Sequence, residues 1–240
     1  MGNKFRLWSL LAIGVVSFSS CEKYLGDETD LDFIEVPQQS FREVAYVPVQ
    51  PILNQFVSPS DIIAGFDELI YIVDKGTSEV IVIDESGREL GRRRVQGAKS
   101  IAQDRGLDLL VIGTIDDEND PIIQRSCIYR LKLATSLGYG LQFAQVTDTI
   151  THPFYYKSSA ISSDAEVVFN DLSVLSDNSF YVTRTGPRVT PTKDDAVLLF
   201  NNNGDFVTPI IISDSRGAIF LDYFEDPFSI TTLVKPPQIS

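Results

Sequence analysis

The sequence of 240 residues contains two cysteines, one histidine and one tryptophan, and these scarcities exclude several classes of protein. Cys21 and Cys127 are too few for a disulfide framework, so the fold must depend on its apolar core. The sequence has no GxSxG, HExxH, phosphate-loop or Ser-Lys motif. Hydrolytic and nucleotide chemistry therefore have no motif to support them.

Positive charge and helical periodicity are also scarce. The chain has 20 Lys and Arg against 33 Asp and Glu, which gives a formal net charge of −13. Nucleic-acid binding requires a basic surface, so we exclude nucleic acid as a partner. The only basic run, 92–94, falls in an expected strand and is interpreted as a solvated outer edge. No long segment after the N-terminal one shows a helical period, which argues against a βαβ enzyme core.

Residues 1–20 have the pattern of a bacterial lipoprotein signal peptide. Two basic residues precede an apolar run at 7–18, and two serines stand directly before Cys21. This run is shorter than the roughly 20 residues that a membrane-spanning helix needs, which is typical of a cleaved signal. We predict that Cys21 is the lipidated residue and that the chain contacts the membrane through this lipid anchor. The alternative is an ordinary secretory signal, or an uncleaved helix, in which Cys21 is incidental.

The segment 21–57 is predicted to be a lipid-anchored tether followed by leader strands, because its first part is polar and acidic. Its opening, 21–25 (CEKYL), resembles the start of Bacteroidetes outer-membrane lipoproteins, including those that capture glycans. The resemblance implies an address in the bacterial cell envelope, at the outer membrane, and an envelope protein or a glycan as partner. The all-helical body of the glycan-capture lipoproteins is not evident in this sequence.

The body, 58–240, is predicted to be all-β. Compact apolar runs at 69–73 and 80–83 are separated by turn residues, which indicates strands joined by tight turns. The unit recurs, because four similar segments each open a stretch of strands. These openings are 59–63, 98–102, 171–175 and 227–231. Repeated groups of four short antiparallel strands are typical of β-propeller blades.

The first unit, 59–87, resembles the NHL-type repeats of six-bladed β-propellers: a proline-led first strand, an apolar-Tyr-apolar-apolar-Asp strand, and an apolar strand that ends in a glycine turn. The resemblance implies consecutive four-stranded antiparallel blades. A plain antiparallel sandwich is the alternative. The fourth opening is followed by too few residues for a blade, so we expect an incomplete or truncated propeller. Irregular blades or an oligomer that completes the ring are the other possibilities.

Candidate sites in the body are weak. The acidic run 116–120 has oxygen ligands at alternating positions, but Pro121 stands where a calcium loop needs glycine, so we expect a solvated insertion and no metal or cofactor. Cys127 lies in an alternating strand pattern and is expected to be buried and inert, while His152 lies in a loop-like segment. The aromatic run 154–156 could stack on sugar rings, although packing is the favoured interpretation.

Two functions remain open. The first is a noncatalytic, lipid-anchored envelope protein that presents a propeller surface to a protein or glycan partner. The second is a propeller hydrolase or lyase of the lactonase-like type. Such enzymes usually carry a calcium ion, or paired histidine and acidic residues, at strand starts. A single histidine, and the expectation that no acidic residue recurs at the openings, favour the first function.

Overall fold

A computed structural model describes residues 53–117, 120–153, 166–187, 194–210 and 226–232. These ranges contain fourteen β-strands and a single short 3-10 helix, Leu141–Phe143. Within them, no helix is long and apolar enough to cross a membrane. The prediction of an all-β body built from consecutive four-stranded antiparallel sheets is confirmed for this part of the chain.

Three antiparallel sheets follow one another along the chain, each with four strands in the order of the sequence. The first contains β1 (Pro59–Ala64), β2 (Ile70–Asp74), β3 (Glu79–Ile83) and β4 (Glu89–Arg94). The second contains β5 (Ser100–Gln103), β6 (Leu109–Asp116), β7 (Gln124–Lys132) and β10 (Gln145–Thr151). The third contains β11 (Val168–Val174), β12 (Phe180–Thr185), β13 (Val197–Phe200) and β14 (Phe206–Pro209). A hairpin of β8 (Ala134–Thr135) and β9 (Gly138–Tyr139) separates β7 from β10.

The second sheet is buried on both faces, which explains why β6 is apolar at consecutive positions rather than at alternate ones. Leu109 and Val111 pack into the core shared with the first sheet. Leu110 and Ile112 point the other way and pack into the core shared with the third sheet. The three sheets are therefore packed face to face, with one hydrophobic core on each side of the second.

The same turn joins the first two strands of every sheet. In each turn a residue with positive φ follows the first strand: Glu68 (φ 61°), Leu107 (φ 66°) and Asn178 (φ 66°). Only the third of these is a residue type that favours this conformation, so the fold, rather than local propensity, imposes it at the other two. The repeated turn places the first hairpin of each sheet in the same local geometry.

The second sheet departs from the predicted unit between its third and fourth strands. Residues 133–144 form an insertion that contains β8, β9 and the 3-10 helix, and the fourth strand, β10, follows it. The insertion reaches the first sheet, where the Tyr139 hydroxyl donates a hydrogen bond to Asp67 and Arg93 donates one to the Ala144 carbonyl. It therefore connects the first two sheets beyond their shared core.

The basic run 92–94 lies on β4, the outermost strand of the first sheet. Arg92 and Arg94 are exposed, as predicted for a solvated edge, but Arg93 is half-buried against Ala144. Arg92 forms ion pairs with Glu79 (3.0 Å) and Glu89 (2.7 Å). These exposed pairs contribute little to stability but keep the edge strand polar.

Candidate functional site

The predicted lipidation site, Cys21, and the aromatic run 154–156 both lie outside the described residues. Cys127 lies on β7 and is fully buried. Burial raises the pKa of its thiol to about 12, against the weaker opposing effect of a hydrogen bond with Tyr129. A thiol in this state is not a nucleophile near neutral pH. Thr151, not His152, is its partner across the β7–β10 pair.

His152 directly follows β10 and is 6% exposed. Its Nε2 lies 3.2 Å from a carboxylate oxygen of Asp194, and the second oxygen of that carboxylate accepts a hydrogen bond of 2.9 Å from Arg184. Asp194 and Arg184 are also buried. The sequence analysis missed Asp194 because it lies 42 residues from His152.

A histidine oriented by a carboxylate resembles the base of an acid–base pair. In this arrangement, however, the Nε2 atom of His152 is within hydrogen-bond distance of Asp194, and its Nδ1 atom has almost no accessible surface. Neither ring nitrogen faces solvent, so the described geometry favours a structural role for His152. The three buried groups connect the end of β10 to the third sheet.

The acidic run 116–120 is held by contacts within the protein. Asp116 accepts a hydrogen bond of 2.8 Å from Gln96. Asp117 is buried and forms an ion pair with Arg125. These contacts fix the base of the β6–β7 connection, so a structural role accounts for both carboxylates.

A groove of about 510 Å³ lies between the edge strand β10 of the second sheet and the β13–β14 turn of the third sheet. Its size is within the range of ligand sites in proteins, about 300–1,000 Å³. Strand β10 forms one wall, since Asp148 and Ile150 share one face of this strand and His152 continues it. Phe200, Phe206 and the turn residues between them form the other wall.

The turn that forms the second wall is rigid. The side-chain oxygen of Asn201 accepts hydrogen bonds from the backbone N–H groups of Asn203 (2.9 Å) and Asp205 (2.8 Å). Gly204 occupies the left-handed region, with φ 86°. A Cβ there would lie 2.7 Å from Ile150, so only glycine fits this approach to β10. The composition of 201–205 (NNNGD) is typical of a turn but does not indicate what the turn faces.

A hydrogen bond also links the second sheet to the turn that forms the second wall. Arg130 on β7 donates a hydrogen bond of 2.9 Å to the carbonyl of Asn202 in the turn. The same guanidinium forms an ion pair of 3.1 Å with Asp104, which is buried. The groove is thus preformed, because side chains of the second sheet fix the turn of the third.

A second feature that the sequence analysis missed joins the openings of the sheets. Asp61, Ser100 and Ser229 are third in the openings 59–63, 98–102 and 227–231, and Asp171 is first in 171–175. Each stands directly before an apolar residue, and we call these four residues the opening belt. The Ser100 hydroxyl lies 2.8 Å from Asp61 and 2.6 Å from Asp171. It carries one proton, so it donates to one carboxylate at a time.

Backbone groups complete the opening belt. The N–H of Ile101 donates to Asp61 (2.8 Å), and the N–H of Ile230 donates to Asp171 (2.9 Å). The expectation that no acidic residue recurs at the openings is therefore wrong, because two of the four carry aspartate. Both carboxylates are bound by the next opening, so they connect successive openings. Alignment of the four openings on their apolar residue would have revealed the pattern.

No protein-family model and no curated protein matches the chain. Similar solved structures include a protein of unknown function from Bacteroides caccae, with 15% identity and a TM-score of 0.41 over 62% of this chain and 47% of that one. A catalytically inactive virginiamycin B lyase from Staphylococcus aureus, with quinupristin, has 12% identity and a TM-score of 0.39 over 65% of this chain and 42% of that one. The chain spans less than half the length of these two proteins, and the scores describe a coarse likeness only.

Proposed function

We propose that this chain is a lipid-anchored protein of the bacterial cell envelope, at the outer membrane, that binds a protein or glycan partner without catalysis. The observation that carries this proposal is the preformed groove between the second and third sheets. The volume of the groove, about 510 Å³, is large enough for a short segment of a ligand, and both carboxylate and aromatic side chains line it. Cys127 and His152, the side chains that would be expected to carry catalysis, are buried.

The proposal includes the finer fold: successive blades of a β-propeller similar to NHL repeats. The opening belt supports it, since hydrogen bonds of Ser100 join the first strands of the three sheets, β5 to β1 and β5 to β11. First strands arranged side by side around an axis are what a propeller requires. The repeated turns after β1, β5 and β11 agree with a repeated blade.

A hydrolase or lyase is the second candidate function, and the pairing of His152 with Asp194 is the observation that favours it. For such a function a ring nitrogen of His152 would have to reach the substrate in the groove that it lines. The burial of both nitrogens makes binding the better supported function.

A blocked groove tests the proposal. Asn203 is exposed in the β13–β14 turn and lines the groove, so Asn203→Trp places a large side chain at its mouth. Ser86→Trp is the matched control, because Ser86 is exposed at the equivalent position of the β3–β4 turn of the first sheet. The purified full chain would be screened by calorimetry against short peptides and oligosaccharides. We expect Asn203→Trp to abolish binding and Ser86→Trp to preserve it. Equal binding by both variants would contradict the proposal.

A further inference from the structure

The side chains that line the described part of the groove include two carboxylates, Asp148 and Asp205, but no lysine or arginine. Below them lies an apolar floor of Ile150, Phe200 and Phe206. We propose that the groove docks a basic segment of a partner protein, with a lysine or arginine side chain laid along this floor. This inference rests on the proposed binding function and specifies its partner.

Asp148 is the carboxylate that would bind the cationic group. It is half-buried on β10, and one of its oxygens accepts a hydrogen bond of 2.8 Å from the N–H of Thr149. Its other oxygen lies beside Gly204, at 2.9 Å from the position that a Cβ would occupy there. A carboxylate held in this way loses little rotamer entropy on pairing, and its partial burial strengthens the interaction with a cation.

The floor suits the apolar stem of a basic side chain. Phe200 is buried and packs edge to face against Phe206, at 5.9 Å between ring centroids. Phe206 is half-buried and lines the groove. Lysine and arginine bury their methylene groups on such surfaces and keep the charged end at a polar rim. The aromatic ring of Phe206 can also attract a cation that lies close to it.

Charge complementarity distinguishes this partner from the others. The chain carries a formal net charge of −13, so its field attracts cationic segments and repels anionic ones. Arg130 is close to the turn, but its ion pair with Asp104 compensates its charge. His152, at the inner end of the groove, is bound to Asp194. The hydroxyl groups of a neutral glycan could donate hydrogen bonds to the carboxylates, but a neutral glycan would gain no Coulombic attraction.

The test compares three probes by calorimetry on the purified full chain: tetralysine, tetraglutamine and a neutral trisaccharide. Tetralysine is expected to bind, and more weakly as salt concentration increases. Asp148→Asn is expected to lower its affinity about fivefold, and Asp205→Asn about threefold. Asp84→Asn is the matched control, since it removes one charge from the equivalent turn of the first sheet, where asparagine fits as Asn201 does.

Thermal unfolding would confirm that each variant is folded. Loss of tetralysine affinity in Asp148→Asn and Asp205→Asn, but not in Asp84→Asn, would support the proposal. Equal losses in all three variants would mean non-specific attraction and would overturn it. Trisaccharide binding that depends on Asp148 would also overturn it but would leave the proposed binding function intact. If no probe binds and Asn203→Trp alters no interaction, both proposals fail.

Discussion

Asp171 is the residue on which the opening belt most depends. Its carboxylate lies within hydrogen-bond distance of four donors: the hydroxyls of Ser100 (2.6 Å), which Asp171 shares with Asp61, and Ser229 (2.8 Å), and the N–H groups of Leu172 (2.9 Å) and Ile230 (2.9 Å). These contacts connect the second sheet, the third sheet and the segment 226–232. Removal of this carboxylate therefore perturbs the junction of three successive openings.

The expected loss follows from these contacts. A hydrogen bond contributes about 1 kcal/mol net, and the carboxylate is half-buried, so Asp171→Ala should lower the free energy of unfolding by about 2–4 kcal/mol. Asp171→Asn keeps one acceptor oxygen but replaces the other with an amide that only donates. It should lose about half as much, roughly 1–2 kcal/mol.

Urea unfolding of the full chain, followed by circular dichroism, measures both losses as a lower midpoint at unchanged slope. Asp177→Asn is the control, because among the described residues the Asp177 side chain accepts hydrogen bonds from Ser179 within its own turn. It should change the free energy of unfolding by less than about 0.5 kcal/mol. If Asp171→Ala cost no more than this control, the opening belt would not hold the sheets together as argued.

Three further predictions concern other parts of the chain. Cys21→Ala should abolish incorporation of radiolabelled fatty acid in the bacterial host, and equal labelling of variant and parent would rule out lipidation at Cys21. Cys127→Ala should cost about 1 kcal/mol in urea unfolding, since only one buried sulfur is removed, and should leave ligand binding unchanged; lost binding would show that the thiol has a functional role. Burial raises the pKa of Asp74, but hydrogen bonds from Val57, Ser58 and Gly76 outweigh it and hold this pKa below its usual value. A lowered pKa stabilises the fold above about pH 4 and this stabilisation is lost as pH falls through the folded-state pKa, so the loss caused by Asp74→Asn should shrink in acid; a loss that is equal at pH 7 and pH 3 would contradict this.

Local patterns were enough to predict the strands of the first sheet. The apolar runs at β2 and β3 and the glycine turn after β3 have the length and composition of a tight antiparallel unit. The prediction was less complete for the second sheet, where β10 was not recognised. Its sequence, QVTDTIT, is mostly polar, because its exposed positions outnumber its single buried one, Ile150. Period alone does not detect such an edge strand.

The groove could not be predicted from the sequence, because its walls belong to two different sheets. Asp148 and Asp205 are 57 residues apart in the sequence, and only the packing of the third sheet on the second brings them to one groove. Asp194 was missed for the same reason. The opening belt is different, since each of its four residues directly precedes an apolar residue, and an alignment of the four openings on that apolar residue contains the signal.

We propose that this chain binds and does not catalyse, and a turnover assay is the direct test of that proposal. The purified full chain would be incubated with panels of lactones, esters and glycans, beside His152→Ala and Cys127→Ala variants whose folding has been checked by circular dichroism. The parent is expected to release no product above the buffer control. Turnover by the parent that is lost in His152→Ala and retained in Cys127→Ala would contradict it and would assign the buried His152–Asp194 pair a catalytic role.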